Sequence, residues 1–411
     1  MNKAYKAVKA NKGASGIDNI TTDDLYDDIR NNWKDIKTLI LNSSYYPKTV
    51  RRVQIPKPNG TKRDLGIPTA MDRVIQQAMV QVLSPICENY FSDFSYGFRP
   101  NRSAQMAVIQ LLEYFNNEYT WIVDIDLEKF FDNVPQDKLM SYVHNIINDG
   151  DVESLIFKYL RAGVMINGKK HKTLKGTPQG NLSPLLSNII LNELDKELEA
   201  RGLRFVRYAD DVVIVLKSEA SAKRVMASIT KWIEKKLGLK VNMTKTKIVS
   251  PNNQKYLGHG FYFNYKEMRF KPRPHQDSVL KFRRNLKNLT FRKTSMKLSV
   301  KVKKLNEVIR GWINYFRYCD MKSSMSDIDS HLRTRIRMII WKQWKIPSNR
   351  QWGLQKLGIN KDLARLTSYG GNRYYWLVTK TCVSRAISKK ILGKFGLISL
   401  VDYYSKQHIL I

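Results

Sequence analysis

The chain has 411 residues, with 71 Lys and Arg against 36 Asp and Glu, for a formal net charge of +35. Its 43% hydrophobic and 11% aromatic content supplies several cores and excludes wholesale disorder, so the charge points to a polyanionic partner, nucleic acid or an anionic membrane surface. Three widely spaced cysteines (Cys87, Cys319, Cys382) exclude a disulfide framework and a paired-cysteine zinc module, and no apolar leader or 18-residue apolar run argues for secretion or membrane spanning. A reduced, intracellular setting is expected.

In chain order, residues 46–56 alternate apolar and charged positions, meet the turn signal Pro58-Asn59-Gly60, and return through Arg63-Asp64-Leu65-Gly66-Ile67, a predicted hairpin. From Asp72, the spacing of Val74, Ile75, Ala78, Met79, Val82 and Leu83 predicts an amphipathic helix. Residues 115–265 read as α+β. Trp121-Ile122-Val123 is a short strand running into acids, and Ser183-Pro184 starts a helix with Leu186, Ile190, Leu194 and Leu198 on one face. Residues 205–208 and 212–216 are apolar strands flanking Ala209-Asp210-Asp211, a predicted hairpin; a helix over 220–237 stops at Gly238. Residues 281–350 hold 19 Lys and Arg against 4 Asp and Glu in a helical pattern with Leu305, Ile309, Trp312, Ile313 and Phe316 as its apolar stripe. Residues 345–349 read as a linker to a small basic C-terminal unit.

The acids stand out in so basic a chain. Asp210-Asp211 lies at a hairpin tip between apolar arms, where unpaired carboxylates are costly unless protonated or metal-bound. A plain polar turn explains the pair equally well by itself. Asp124-Ile125-Asp126 ends another apolar strand, with both acids on one face by alternation, and would complete an oxygen-rich site suited to Mg²⁺; Asp126 could instead cap a helix starting at Leu127.

The stretch 123–132, Val-Asp-Ile-Asp-Leu-Glu-Lys-Phe-Phe-Asp, and Arg207-Tyr208-Ala209-Asp210-Asp211 resemble the palm motifs of reverse transcriptases, most closely those of group II intron-encoded reverse transcriptase/maturases. The resemblance runs over nearly the whole chain: residues 51–58, Ser95-Tyr96-Gly97-Phe98-Arg99-Pro100, Gly176-Thr177-Pro178-Gln179-Gly180, Leu239-Lys240-Val241-Asn242, Tyr256-Leu257-Gly258 and residues 310–316 follow in the family's order. It implies a right-hand polymerase: fingers over 1–114, a palm with an antiparallel sheet over 115–265, a helical thumb or domain X over 266–345, and a basic helical DNA-binding region over 346–411. With no His-Asn-His endonuclease in the sequence, it resembles the short, endonuclease-lacking type, class C.

The resemblance also assigns roles. An aromatic five residues beyond the first metal-binding acid makes Phe131 the gate against a 2′-hydroxyl and Asp126, with Asp210 and Asp211, the catalytic and metal-binding triad for two Mg²⁺ ions, Mn²⁺ being a substitute. Lys57, Arg63, Gln179, Gly180 and Lys245 would contact the nucleotide, and Tyr256, Leu257 and Gly258 the primer and template. Arg283, Arg284, Lys287, Arg292, Lys303, Lys304 and Arg310 would bind RNA, while Trp312 and His259 are expected to pack. One departure stands out: the usual two glycines after the glutamine are replaced by Gly180-Asn181-Leu182-Ser183-Pro184, one residue shorter. Implied partners are intron RNA, an RNA template with a DNA primer, deoxynucleoside triphosphates and target DNA, acting as monomer or homodimer in the bacterial cytoplasm at the nucleoid. The alternatives are an RNA-binding splicing cofactor with impaired polymerisation, which the shorter loop favours, or a reverse transcriptase repurposed for a host or defence role.

Overall fold

The computed structural model describes residues 1–56, 60, 62–177, 180–294, 296–371 and 373–410, which form two compact units, Met1–Ser250 and Pro251–Ile411. The first runs α1 (Asn2–Ala10), α2 (Leu25–Leu41), β1 (Val50–Pro56), β2 (Lys62–Ile67), α3 (Ala70–Glu88), α4 (Ala104–Asn116), β3 (Trp121–Ile125), α5 (Phe130–Asn133), α6 (Gln136–Ile147) and α7 (Gly150–Leu160). It continues through β4 (Val164–Ile166), β5 (Lys169–His171), α8 (Ser183–Ala200), β6 (Arg204–Tyr208), β7 (Asp211–Leu216), α9 (Glu219–Trp232) and β8 (Lys247–Val249).

Two sheets organise this unit. One has the order β2-β1-β4-β5, with β1 antiparallel to β2 and parallel to β4. The other, β6-β7-β3-β8, is antiparallel throughout and carries the acids. Its central strands bury Ile122, Val123 and Val212 to Val215 almost completely. Helices α8 and α9 share its core, with Leu186, Ile190 and Leu194 of the predicted stripe joined by Ile229 and, beyond α9, Ile233. Each such side chain contributes about 1.5–3 kcal/mol by leaving water. After α9 one π turn, Ile233–Leu237, ends at Gly238 in the left-handed region, the predicted stop.

Helix α8 is buried on a second side. Ser183, Ser187, Asn188, Asn192 and Asp195 are as inaccessible as its leucines, and they hydrogen-bond rather than pack. Asn192 accepts from Ser92 N at 3.2 Å and donates to Tyr90 O at 2.8 Å, and Asn188 donates to Gly97 O at 2.9 Å. The helix therefore stitches the segment 90–97 alongside the sheet. Helix α3 begins at Ala70 rather than Asp72, because Thr69 Oγ1 accepts from Asp72 N as its cap. That leaves Asp72 buried as an acceptor for Tyr45 OH (2.8 Å), Thr69 Oγ1 (2.7 Å) and Tyr159 OH (3.3 Å).

The second unit opens with β9 (Lys255–Tyr256), β10 (His259–Asn264) and β11 (Arg269–Pro274), a three-stranded sheet in the order β11-β10-β9. It continues with α10 (Gln276–Leu289), α11 (Leu298–Tyr315), α12 (Lys322–Gln343), α13 (Pro347–Lys356), α14 (Lys361–Ser368), α15 (Tyr374–Thr379), α16 (Thr381–Ala386), α17 (Lys389–Lys394) and α18 (Leu400–Gln407). The predicted linker at 345–349 is not one. Pro347 occupies the first turn of α13, where its missing N–H costs nothing, and one core runs from Ile309, Ile313, Ile336 and Trp341 to Leu354, Val383, Leu400 and Tyr404. Helix α18 is also tied back by hydrogen bonds: Leu400 N donates to Asp329 Oδ1 at 3.0 Å, and Tyr404 OH to Cys319 O at 2.9 Å. The expected boundaries at 265/266 and 345/346 thus differ from the division at 250/251. All three cysteines are buried and free, and among the described residues no helix is long and apolar enough to cross a membrane.

Candidate active site

The acids gather at one end of the β6-β7-β3-β8 sheet. In register, Tyr208 pairs with Asp211, leaving Ala209 and Asp210 as a two-residue turn. Ala209 sits at φ 57°, a left-handed conformation costing an L-residue about 1–2 kcal/mol. Strand β3 ends at Ile125, so Asp124 and Asp126 are held differently. Asp124, inside the strand and in register with Lys247, has that ammonium 3.7 Å away. Asp126 lies just beyond the strand, where its N–H donates to Thr246 Oγ1 at 3.2 Å and its carbonyl accepts from Asn242 N at 2.8 Å. It is no helix cap: α5 begins only at Phe130, after Lys129 in the left-handed region.

The segment 240–245 brings a cation over this group. Glu128 N donates to Lys240 O at 2.8 Å and Leu127 bridges Val241, which aims the following turn back at Asp126, with Lys245 Nζ 3.2 Å from Asp126 Oδ2. Asp211 keeps one side open to solvent, yet protein on its other sides strips enough water that burial is the leading influence on it. Burial first, then the charges of Asp210, Asp124 and Asp126, push its carboxyl up to about 6, against the opposing pull of Lys245. Four carboxylates are thus within electrostatic reach of one another with too little positive charge among them. Among the described residues, no three His, Cys, Asp or Glu side chains form a group that could by itself hold a metal ion. The donor set suits an ion that takes one or two carboxylates and completes its shell with water and substrate phosphate oxygens.

Behind the Ala209-Asp210 turn lies a network to which the sequence reading gave no role. Arg207 and Asp195 are both fully buried, with Arg207 Nε 2.7 Å from Asp195 Oδ1 and Nη2 2.5 Å from Oδ2. The remaining guanidinium nitrogen donates to Asn188 Oδ1 at 2.9 Å and to Ala209 O at 3.0 Å. Gly97 packs against the same turn; a Cβ there would fall 2.2 Å from Ala209 N, so only glycine fits. The missed signal was the second, polar stripe of α8, which places Asn188 and Asp195 seven residues apart on one face.

Phe131 is half-buried, edge-on to Phe130 at 5.3 Å, and lines a cavity of about 190 Å³ with Arg52, Asp132, Lys175, Gly176 and Thr177. Gly176, at φ 85°, lets the chain cross Phe131, whose carbonyl accepts from Thr177 N at 2.8 Å. Arg52, which had no assigned role, joins this wall, 3.2 Å from Asp64 and 3.4 Å from Asp132. Arg63 is exposed on β2 opposite Ile55. Lys57 and Gln179 lie outside the described residues, while Gly180 stands just before α8 against α3.

The remaining candidates belong to the second unit. Leu257 and Gly258 form the tight β9–β10 turn with φ 48° and 78°, and Tyr256 beside them is buried. Tyr315 OH donates to Leu257 O at 2.9 Å, and Ser278 Oγ to Gly258 O at 2.8 Å. His259 packs between Tyr315 and Phe316, and burial lowers its pKa to about 4. Trp312 stacks on Phe282, ring centroids 4.4 Å apart. Arg283, Arg284 and Lys287 on α10, Arg292 beyond it, and Lys303, Lys304 and Arg310 on α11 are all exposed. Arg283 and Lys287 share a small cleft with His331 and Arg335; burial, then Arg335, Arg283 and Lys287, lower the His331 pKa, the mark of a locally positive site.

Residues 55–261 match the family described as "Reverse transcriptase (RNA-dependent DNA polymerase)", and residues 279–358 match "Group II intron, maturase-specific domain". Protein YkfC of Escherichia coli (strain K12) is 33% identical over 299 residues, 62% of this chain and 78% of that protein. The group II intron-encoded protein LtrA of Lactococcus lactis subsp. cremoris is 41% identical over 208 residues, covering 50% of this chain and 34% of the relative. A putative COX1/OXI3 intron 2 protein of Saccharomyces cerevisiae is 33% identical over 320 residues, covering 62% and 37%. The chain spans little more than a third of these two intron-encoded relatives. It carries a reverse transcriptase domain followed by a maturase-specific domain, and it belongs to the group II intron-encoded reverse transcriptase/maturase family.

Proposed function

We propose that the chain is an RNA-directed DNA polymerase in which Asp126, Asp210 and Asp211 hold two Mg²⁺ ions for nucleotidyl transfer, Mn²⁺ substituting. The observation that carries the reading is the gathering of Asp126, at the end of β3, with the Asp210-Asp211 turn that opens its neighbour β7, an arrangement in which burial and the surrounding acids push the Asp211 carboxyl up to about 6. Such a group is stabilised as an anion only when positive charge arrives, and a perturbed carboxylate at the mouth of a sheet is a signature of chemistry. When bound, the ions would activate the primer 3′-hydroxyl and stabilise the departing pyrophosphate. The protein's own part is to fix the carboxylates through the Arg207 network and to supply Lys245 beside Asp126 as a further cation. Phe131 would select deoxynucleotides by occupying the space of a 2′-hydroxyl, and Arg52 and Arg63 would meet the triphosphate, a role the family resemblance also gives Lys57.

The second unit is proposed to act as the maturase, gripping structured intron RNA and the primer–template duplex through its exposed lysines and arginines while promoting splicing and mobility. Target DNA is the proposed partner of its C-terminal helices. The test is primer extension on poly(rA)/oligo(dT) with Mg²⁺ or Mn²⁺, beside Asp210→Ala. Extension by the unmodified chain and none by the variant is expected; no extension under any metal condition overturns the polymerase reading. RNA affinity should fall linearly with log salt, by about 0.7–0.9 per neutralised phosphate, and a flat response overturns the phosphate grip.

A further inference from the structure

The turn 180–183 is one residue shorter than the pattern it resembles, and its placement depends on helix α3. A Cβ on Gly180 would lie 2.1 Å from Gln76 Oε1 and 2.9 Å from Gln76 Cδ, so the backbone of the turn rests directly on that amide. Gln76 is only 1% exposed, and its Oε1 accepts from Leu182 N at 3.3 Å. The next α3 residue, Gln77, accepts from Asn181 Nδ2 at 3.0 Å, and Arg73 O accepts from the same nitrogen at 3.5 Å. Within the turn, Gly180 N donates to Ser183 Oγ at 3.2 Å and Ser183 N to Gly180 O at 3.2 Å. Leu182 is fully buried, closing the turn from below.

A glutamine in the core of an amphipathic helix is costly unless its amide is used. Here two successive glutamines point at two successive residues of one turn. We infer that Gln76 and Gln77 are positioning residues for the nucleotide-binding turn, setting the height of Gly180 so that a deoxynucleoside triphosphate meets the loop in register. Helix α3 supplies the restraint that an extra loop residue would otherwise supply. The shorter loop is then a differently anchored loop, not a damaged one. This rests on the polymerase reading of the first unit, and the turn's anchorage is measurable without it.

Two measurements test it. Hydrogen exchange at the Gly180 and Leu182 amides should accelerate at least tenfold in Gln77→Ala and Gln76→Leu, with the rest of α8 unchanged; wild-type protection in both variants overturns the anchorage whether or not the protein polymerises. In primer extension, Gln77→Ala should raise KM for the triphosphate about tenfold at nearly constant kcat and Tm, because the loss is in ground-state placement. Gly180→Ala should be worse, and Gln76→Ala should partly rescue it by removing the amide that the new Cβ strikes. Equal KM in Gln77→Ala and wild type, or no rescue in the double variant, overturns the positioning role. Failure of the unmodified chain to extend any primer strikes the polymerase reading alone.

Discussion

Replacing Arg207 with methionine should destabilise the first unit and slow its chemistry, and a second substitution should separate those effects. The guanidinium makes three bonds to Asp195, one to Asn188 Oδ1 and one to Ala209 O, all out of water. Removing one partner of such a pair leaves a buried, uncompensated charge and costs about 3–5 kcal/mol. For a unit of this size, at roughly 2–4 °C per kcal/mol, Tm should fall by roughly 6–20 °C. Adding Asp195→Leu removes the stranded charge and should restore at least half of that loss. It restores no donor to Ala209 O, so the turn holding Asp210 and Asp211 stays free to drift. A misplacement of about 1 Å at a reacting centre is worth about 100-fold in rate. The assay pairs calorimetry with single-turnover primer extension at a temperature where both variants are folded. The double variant should be folded and at least 100-fold slow. A stable double variant extending at the wild-type rate refutes the positioning argument, leaving Arg207 and Asp195 as a structural pair only.

Gly97→Ala should slow extension at least 100-fold, because its Cβ meets the Ala209 backbone at 2.2 Å and no rotamer can relieve it; unchanged single-turnover rates refute that. His259 gives the second unit an acid-side weakness. Its pKa is depressed to about 4 from an ordinary 6.5, so the unfolded chain takes up a proton first, and stability present above pH 6.5 drains as pH falls towards 4. That gap amounts to roughly 3 kcal/mol. Denaturant melts of the intact chain should lose that slope in His259→Gln, and an unaltered slope counts against it. Arg283→Ala with Lys287→Ala should reduce the salt dependence of RNA binding by about two units of log–log slope, uniformly across RNA sequences; a preserved slope places the phosphates elsewhere.

Motif order made the gathering of Asp126, Asp210 and Asp211, the hairpin at Asp210 and the α8 apolar stripe legible, since each rests on local patterns. What escaped depends on contacts between distant segments. Strict alternation put Asp124 and Asp126 on one face, but the strand stops between them and Lys247 claims the first. Arg207 reads as an ordinary strand residue until α8 is laid beside it, and Asp195 as a solvated helix acid until Arg207 is. Thr69 gives no sign of its capping role until the start of α3 is known. Pro347 misled for a different reason: a proline that breaks one helix starts the next equally well, and nothing local says whether a gap separates them.

The continuous core beneath α12 to α18 bears on how the proposed DNA-binding surface could change its target. Were the C-terminal helices an independent cassette, a new preference could be acquired by exchanging them wholesale. Leu400 and Tyr404 lock into Asp329 and Cys319 instead, so a transplanted tail would arrive with unmatched partners and open the interior of the maturase helices. Change in the proposed target is then confined to the outer surface, one exposed residue at a time, around side chains such as Trp352, Tyr375 and Trp376. Lineages built this way should diversify by drift on that skin while the packing beneath it stays fixed.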